Sequence, residues 1–260
     1  MFKCGSLFSG SSGNSFFIQS DNTNILVDVG VSAKKIKEAL LELDFSIEKI
    51  DAILITHEHI DHTKSLSFLS CKYNIPVYAN KKTWDALSEH REKILAENIK
   101  VFNNLENFYI GELKISPFSI SHDAADPCGF NIYYNEKKIS IATDIGQITE
   151  ETLNCLKNSS FLFLESNYDP NILKMSSYPY LLKQRISSNK GHMSNITAGK
   201  VLQKINNNNL KNVLLIHLSK ENNFPELAYE TVHEQLNGLS NIPNIVVAPR
   251  NKPSQIFNVS

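Results

Sequence analysis

Short apolar runs rich in Ile, Val, Phe and Tyr recur along the chain and stop at turn-forming or charged residues. "SFFIQ", "NILVDVG", "AILITH", "PVYAN", "FYIGELKISPFSISH", "GFNIYYNEKKISIATD", "FLFLES", "VLLIHLS" and "IVVAP" read as strands. Helical patterns lie between several of them, at Ser32 to Asp44, Thr63 to Tyr73, Lys82 to Glu97, Thr149 to Lys157, Ile196 to Ile205 and Pro225 to Leu236. Several carry Ser, Thr or Asn where a cap should fall. Strands in two groups with helices interspersed predict a layered α/β architecture with mixed sheets. No internal repeat or long linker is visible, and the "NNNN" tract at Asn206 to Asn209 reads as a polar helix exit.

Composition narrows this picture. With 260 residues, 42% of them hydrophobic, the chain can bury a sizeable core, and one domain spanning 1–260 is expected. A formal net charge of -1 argues against a bulk polyanion binder or a membrane-surface binder, so any electrostatic attraction must be local. Cys4, Cys71, Cys128 and Cys155 lie far apart with no C-x-x-C, which predicts reduced, mostly buried thiols and no disulfide framework or zinc ribbon. No window approaches the roughly 18 apolar residues of a membrane span. The N-terminus "MFKCGSLFSGSSGNSFF" also lacks a long apolar core after a basic start. A cytoplasmic protein with no membrane partner is the expectation; the sequence leaves the oligomeric state open.

Candidate chemistry gathers at strand ends. His57, Glu58, His59, Asp61 and His62 follow "AILIT"; His122 follows "ISPFSIS", Asp144 "ISIAT", Glu165 "FLFL" and His217 "VLLI". Five strands therefore deliver an imidazole or carboxylate where loops at one sheet edge can converge. Neutral imidazole and carboxylate suit zinc, manganese or iron. Alternating His57 and His59 can face one ion while Asp61 and His62, near the next helix start, reach a second, so the spacing suits two divalent metals. Glu58, between two ligands, is expected to face away. His90 and His233 sit in charged helical patterns and read as solvated surface.

The run "THEHIDH" resembles the signature of the metallo-β-lactamase superfamily, and the other strand-end residues follow that superfamily's order across almost the whole chain. The resemblance implies an α/β fold, a four-layer αββα sandwich with two mixed β-sheets. It assigns His57, His59 and His122 to a first metal, Asp61, His62 and His217 to a second, and Asp144 to a bridge between them. Asp28, ending "NILVD", matches the first acidic motif, a group that orients metal ligands. A plain turn aspartate before Gly30 is the alternative.

Superfamily membership does not fix a reaction, since members hydrolyse lactams, thioesters and phosphodiesters. Between Pro170 and Lys220 stand Lys174, Lys183, Arg185, Lys190, Lys200, Lys204, Lys211 and Lys220, with no Asp or Glu. Such a stretch suggests a cationic rim for a polyanion; lysines dispersed over solvated helix faces are the plainer alternative. "FLFLESNYD" followed by "SSNKGHMSN" resembles nuclease branches such as ribonuclease Z, where a strand-end glutamate and a later histidine pair beside the metals. Glu165 and His192 match those positions. A carboxylate on one imidazole nitrogen fixes the tautomer and raises basicity, which suits protonation of a departing sugar oxygen.

Finer pattern, from "GSSGNS" through "SHDAADPCGF" and "YPYLLKQRISSNKGHMSN" to "HLSKENNFPELA", resembles the bacterial YycJ/WalJ family over nearly the full chain. That resemblance implies a 5'-to-3' exonuclease on double-stranded DNA linked to mismatch repair, with a dinuclear metal-bound hydroxide as nucleophile. Asp61 or Asp144 would steer the nucleophile, and His192 held by Glu165 would act as acid. Candidate substrate contacts are Ser12 and Asn14 in the "SGSSGNS" loop, which reads equally as a phosphate cradle or a hairpin turn, together with Lys183, Arg185, Lys190, Ser194 and Lys220. The 72 residues between Asp144 and His217 are too few for a large covering domain, so an open cleft is expected. The competing functions are a hydrolase of a small thioester, lactone or cyclic phosphodiester, and a metal-containing regulatory protein of a cell-wall or division signalling system.

Overall fold

The computed structural model describes residues 1–260. Its first half runs β1 (Lys3–Phe8), β2 (Ser15–Gln19), β3 (Asn24–Val27), α1 (Ala33–Glu42), β4 (Ala52–Leu54), α2 (Ile60–Thr63), α3 (Leu66–Tyr73), β5 (Val77–Asn80), α4 (Lys81–Ala86), α5 (Ser88–Arg91) and β6 (Ile99–Phe102). The second half runs β7 (Phe108–Ile110), β8 (Leu113–Ser119), β9 (Cys128–Tyr134), β10 (Lys137–Ala142), α6 (Glu150–Leu156), β11 (Phe161–Glu165), α7 (Pro170–Met175) and α8 (Tyr180–Ile186). It ends with α9 (Asn195–Ile205), β12 (Asn212–Ile216), α10 (Pro225–Glu234), β13 (Asn244–Val247) and β14 (Phe257–Asn258).

The strands form two seven-stranded sheets, ordered β14-β1-β2-β3-β4-β5-β6 and β13-β12-β11-β10-β9-β8-β7. Each is mixed: β1 to β3 and β7 to β10 pair antiparallel, then β3 to β6 and β10 to β13 pair parallel. The two halves thus repeat one topology, although no sequence repeat is visible.

Alternation along the strands explains the layering. Ile25 and Val27 pack between the sheets while Leu26 faces helices; Phe161 and Phe163 pack inward while Leu162 and Leu164 face the other helical layer. With a side-chain period of two, a strand whose every residue is apolar must bury both faces. Three apolar clusters result. One lies between the sheets, one under α1 and α3, and one under α6, α9 and α10. Three interfaces define four layers, the αββα sandwich that the superfamily resemblance implies.

Predicted helix starts hold where caps were legible: Ser32 and Thr149 accept from backbone N–H groups of Lys35 and Thr152. The expected helix over Lys82 to Glu97 is instead two short pieces, α4 and α5, followed by an irregular connection. Helices α7 and α8, and strands β1, β6 and β14, have no counterpart in the sequence prediction. All four cysteines are free, but only Cys4 and Cys128 are buried; Cys71 is exposed. No helix is long and apolar enough to cross a membrane.

Candidate metal centre

Strand directions bring the chemistry to one edge. Because β1, β3 and β4 run parallel in the first sheet, and β8, β10, β11 and β12 in the second, their C-terminal ends all open on the same side. At three of these ends the backbone turns through the left-handed region, with φ of 60° at Asp28, 57° at Asp144 and 58° at His217. That conformation is uncommon for residues with a Cβ and marks a turn imposed by the surroundings. It swings the three side chains off their strands toward a common centre.

The residues after β4 are fixed by backbone contacts. Asn14 N–H donates to Asp61 O at 2.8 Å and Val29 N–H to His62 O at 2.7 Å, while Gly30 N–H donates to Asn14 O at 2.9 Å. A Cβ built on Gly30 would lie 1.6 Å from Asp61 O, so this approach requires glycine.

Two triplets of potential ligands result, His57 with His59 and His122, and Asp61 with His62 and His217, each with ligand atoms within 4.8 Å of one another. His57 Nε2 and His59 Nδ1 face each other at 3.2 Å, with His57 Nδ1 on Thr56 Oγ1 at 3.0 Å. His122 Nδ1 is turned to Gly191 O at 3.1 Å, which leaves its buried Nε2 without a protein partner. His217 Nε2 is likewise buried and unpartnered. Asp144 lies between the sets, with Oδ1 3.7 Å from His122 Nε2 and Oδ2 3.2 Å from His62 Nε2. The buried, unpartnered Nε2 of His122 and the carboxylates of Asp61 and Asp144 crowded among the histidines are what a pair of divalent cations would satisfy, and imidazole and carboxylate donors suit such ions.

The surrounding groups hold these rings. Asp28, fully buried, takes His62 Nδ1 at 2.7 Å and is itself tied to the N–H and hydroxyl of Thr56 at 2.9 and 2.8 Å. Glu165 Oε1 takes His192 Nδ1 at 2.7 Å, as the sequence predicts, and also His217 Nδ1 at 3.0 Å. Its second oxygen accepts the N–H groups of Ile145 and Met193 at 2.6 and 3.1 Å. Ser9 Oγ accepts His217 N–H at 2.7 Å, a contact with no signal in the sequence.

Electrostatics divides the two triplets. Burial holds the His57 imidazole well below the ordinary histidine range and lowers that of His122, so both present lone pairs. Burial also disfavours protonation of His62 and His217. There the carboxylates overcome it: Asp28, Asp144 and Asp61 raise His62 well above its ordinary range, and Asp144, Asp61 and Glu165 push His217 up to about 10. Burial alone would raise the carboxyl of Asp144, but His217 and His62 hold it well below the usual range. The carboxylates thus favour positive charge on the second triplet, which is the charge a divalent cation would bring.

The remaining candidates separate. Ser12, Lys190 and Lys220 are exposed, Lys190 two residues before His192 and Lys220 three after His217. Asn14 and Ser194, expected to contact substrate, are buried and committed to the chain itself: Asn14 accepts from Gly10 N–H and faces His62 Nε2, and Ser194 caps α9. Lys183 donates to Lys174 O and Ser176 O, and Arg185 pairs with Asp123 at 2.6 Å. Asp123, 3.3 Å from His122 Nε2, was not predicted. Glu58 does face away, accepting Ala125 N–H at 2.7 Å and bracing the loop after His122. His90 bonds Ser67 and His233 stacks on Tyr229, both outside the ligand groups.

The expected cationic rim is only partly formed. Lys190 and Lys220 flank His192 and His217, but Lys204 lies roughly 13 Å along α9 from its start. Lys211 N–H bonds Ser160 O at the opposite end of β12 and β11 from the ligands. The acid-free stretch spans both ends of the sheet because the chain crosses it.

A beta-lactamase superfamily domain matches residues 23–218. The exodeoxyribonuclease WalJ of Streptococcus pneumoniae is 39% identical over 237 residues, 90% of this chain and 88% of that protein. The chain belongs to the WalJ/YycJ family. The exodeoxyribonuclease YycJ of Bacillus anthracis is 35% identical over 230 residues, 88% of this chain and 87% of that one. In fold, the metallo-beta-lactamase fold protein YhfI of Bacillus subtilis superposes with a TM-score of 0.71 at 16% identity, covering 98% of this chain and all of that one. As a WalJ/YycJ protein the chain is a metal-dependent hydrolase.

Proposed function

We propose that this WalJ/YycJ protein is a cytoplasmic exonuclease that degrades double-stranded DNA 5' to 3' and serves DNA mismatch repair, with 1–260 acting as one domain. The observation that carries the substrate class is the near full-length likeness to two proteins named exodeoxyribonucleases. The Glu165–His192 pair at the lip of the centre supports the same chemistry.

His57, His59 and His122 would hold one divalent ion and Asp61, His62 and His217 the other, with Asp144 between them. Such ions, whether zinc, manganese or iron, supply acidification of water and neutralisation of phosphate charge when bound. Asp61, the more exposed carboxylate at 23%, accepts a hydrogen bond from the attacking water and aligns it with phosphorus. The water oxygen bonds to phosphorus as the bond to the sugar oxygen breaks, and the proton the water loses passes by way of Asp61 to solvent. His192, 22% exposed, gives its Nε2 proton to that departing oxygen while Glu165 holds Nδ1. Burial opposes protonation of His192, but the Glu165 charge outweighs it and raises the imidazole, which favours the protonated form an acid needs.

Manganese-loaded protein should shorten end-labelled duplex DNA from the 5' end, and Asp61→Ala should abolish this. Absence of cleavage of duplex DNA, single strands and RNA alike would remove the nuclease reading and leave the small-molecule hydrolase.

A further inference from the structure

Helix α8 buries none of its seven residues, and Tyr180 and Leu181 are 72% and 78% exposed. It stands between two cavities. Leu182, Arg185 and Ile186 line a cleft of about 200 Å³ that contains His122 and His192. Tyr180, Lys183 and Gln184, on the other flank, line a groove of about 470 Å³ with Tyr168 and Lys174, and Tyr178 borders both cavities.

This ridge is held firmly against the centre. Lys183 Nζ donates to Lys174 O at 2.8 Å and Ser176 O at 2.6 Å, tying α8 to the end of α7. His192 N–H donates to Ile186 O at 2.9 Å, and a Cβ on Gly191 would lie 2.2 Å from the carbonyl oxygens of Arg185 and Ile186. The acid is therefore one hydrogen bond from the ridge. Gln184 Nε2 donates to the Tyr180 hydroxyl at 2.9 Å, fixing that ring on the groove flank.

The groove combines three tyrosines with two lysines and no carboxylate. Aromatic faces beside cations suit unpaired nucleotides, whose bases stack and whose phosphates seek positive charge. The cleft and the groove lie on opposite flanks of α8, so each can take one strand. A duplex end meeting α8 can pass one strand to each flank.

We propose that α8 is a strand-separating ridge. The cut strand enters the His192 cleft, and the unpaired end of the complementary strand stacks on Tyr178 and Tyr180 in the groove beside the buried Tyr168. This rests on the nuclease reading and adds to it a second binding site for the strand that is not cut.

The test uses full-length, manganese-loaded protein and blunt or forked duplexes, the fork leaving the complementary strand unpaired. Nuclease-resistant phosphorothioate linkages in the other strand prevent its loss. The unsubstituted protein should bind the fork about tenfold more tightly than the blunt end, Tyr180→Ala should lose that preference, and Tyr180→Phe should keep it. On ordinary DNA, Tyr180→Ala and Leu181→Ala should slow blunt-end cleavage about tenfold more than cleavage of the fork. Equal affinity for both ends, or an undiminished preference in Tyr180→Ala, overturns the ridge. Fork preference without any cleavage would support the ridge and sink the nuclease reading instead.

Discussion

Glu165 holds His217 as well as His192: one oxygen accepts Nδ1 of His217 at 3.0 Å and Nδ1 of His192 at 2.7 Å. The proposed acid and a candidate ligand are thus oriented by a single buried carboxylate. His192→Ala should lower kcat by about 10²- to 10⁴-fold with metal content unchanged. Glu165→Gln should lower kcat and also weaken metal affinity about 10- to 100-fold, because His217 loses its partner. Metal analysis beside steady-state kinetics separates the two, and full metal occupancy in Glu165→Gln would show that His217 needs no such support.

Asp28 should affect the metals without touching substrate. It is fully buried, bonded to His62 and Thr56, and remote from the cleft. Asp28→Asn should cut metal affinity about 10- to 100-fold. Titration of a metal-free preparation measures this, and an affinity equal to that of the unsubstituted protein would leave Asp28 a turn residue only.

Gly30 is predicted to be irreplaceable for steric reasons. The added methyl of Gly30→Ala meets Asp61 O, and the neighbouring Asn14 N, at 1.6 and 2.8 Å. The ligand loop must move, at a cost of at least about 2 kcal/mol of stability. Denaturant unfolding reads the loss, and unchanged stability with intact metal binding would contradict the packing described.

The lysines of the acid-free stretch should divide by position. Lys190→Ala and Lys220→Ala, beside the centre, should each reduce the salt dependence of DNA binding by about one phosphate contact. Lys204→Ala and Lys211→Ala, at the far end of the sheet, should leave that slope unaltered. Equal effects from all four would mean that DNA also covers the distal face.

Lys138 gives a stability signature distant from the metals. Its ammonium is buried against Cys155 O and Lys157 O, and burial lowers its pKa from 10.5 to about 8. Between these values the unfolded chain binds more protons than the folded one, so Lys138's contribution to stability rises with pH over that window. Melting curves should show the unsubstituted protein gaining on Lys138→Met as pH rises from about 8 to 10; the opposite slope would place a charged lysine in the fold.

Both the layering and the chemistry were legible where local signals were strong. Strands such as "FLFLES" are apolar on both faces, and Ser32 and Thr149 are caps readable from sequence, whereas Ser194, expected to contact substrate, proves to cap α9. Helix α8 was not legible: it buries no residue, so its sequence carries no amphipathic stripe. The common topology of the two halves was also hidden, because pairing order depends on which strands meet and not on residue identity.

By itself the sequence determined that imidazoles and carboxylates end several strands, and its spacing made two metals the natural reading. Only the tertiary structure decided which nitrogens point inward, since that depends on partners far along the chain: Asp28 for His62, Gly191 for His122, and Glu165 for both His192 and His217. It also decided which charges share a face. Lys190 and Lys211 belong to one acid-free stretch, yet crossing the sheet separates them, and electrostatic attraction follows distance in space.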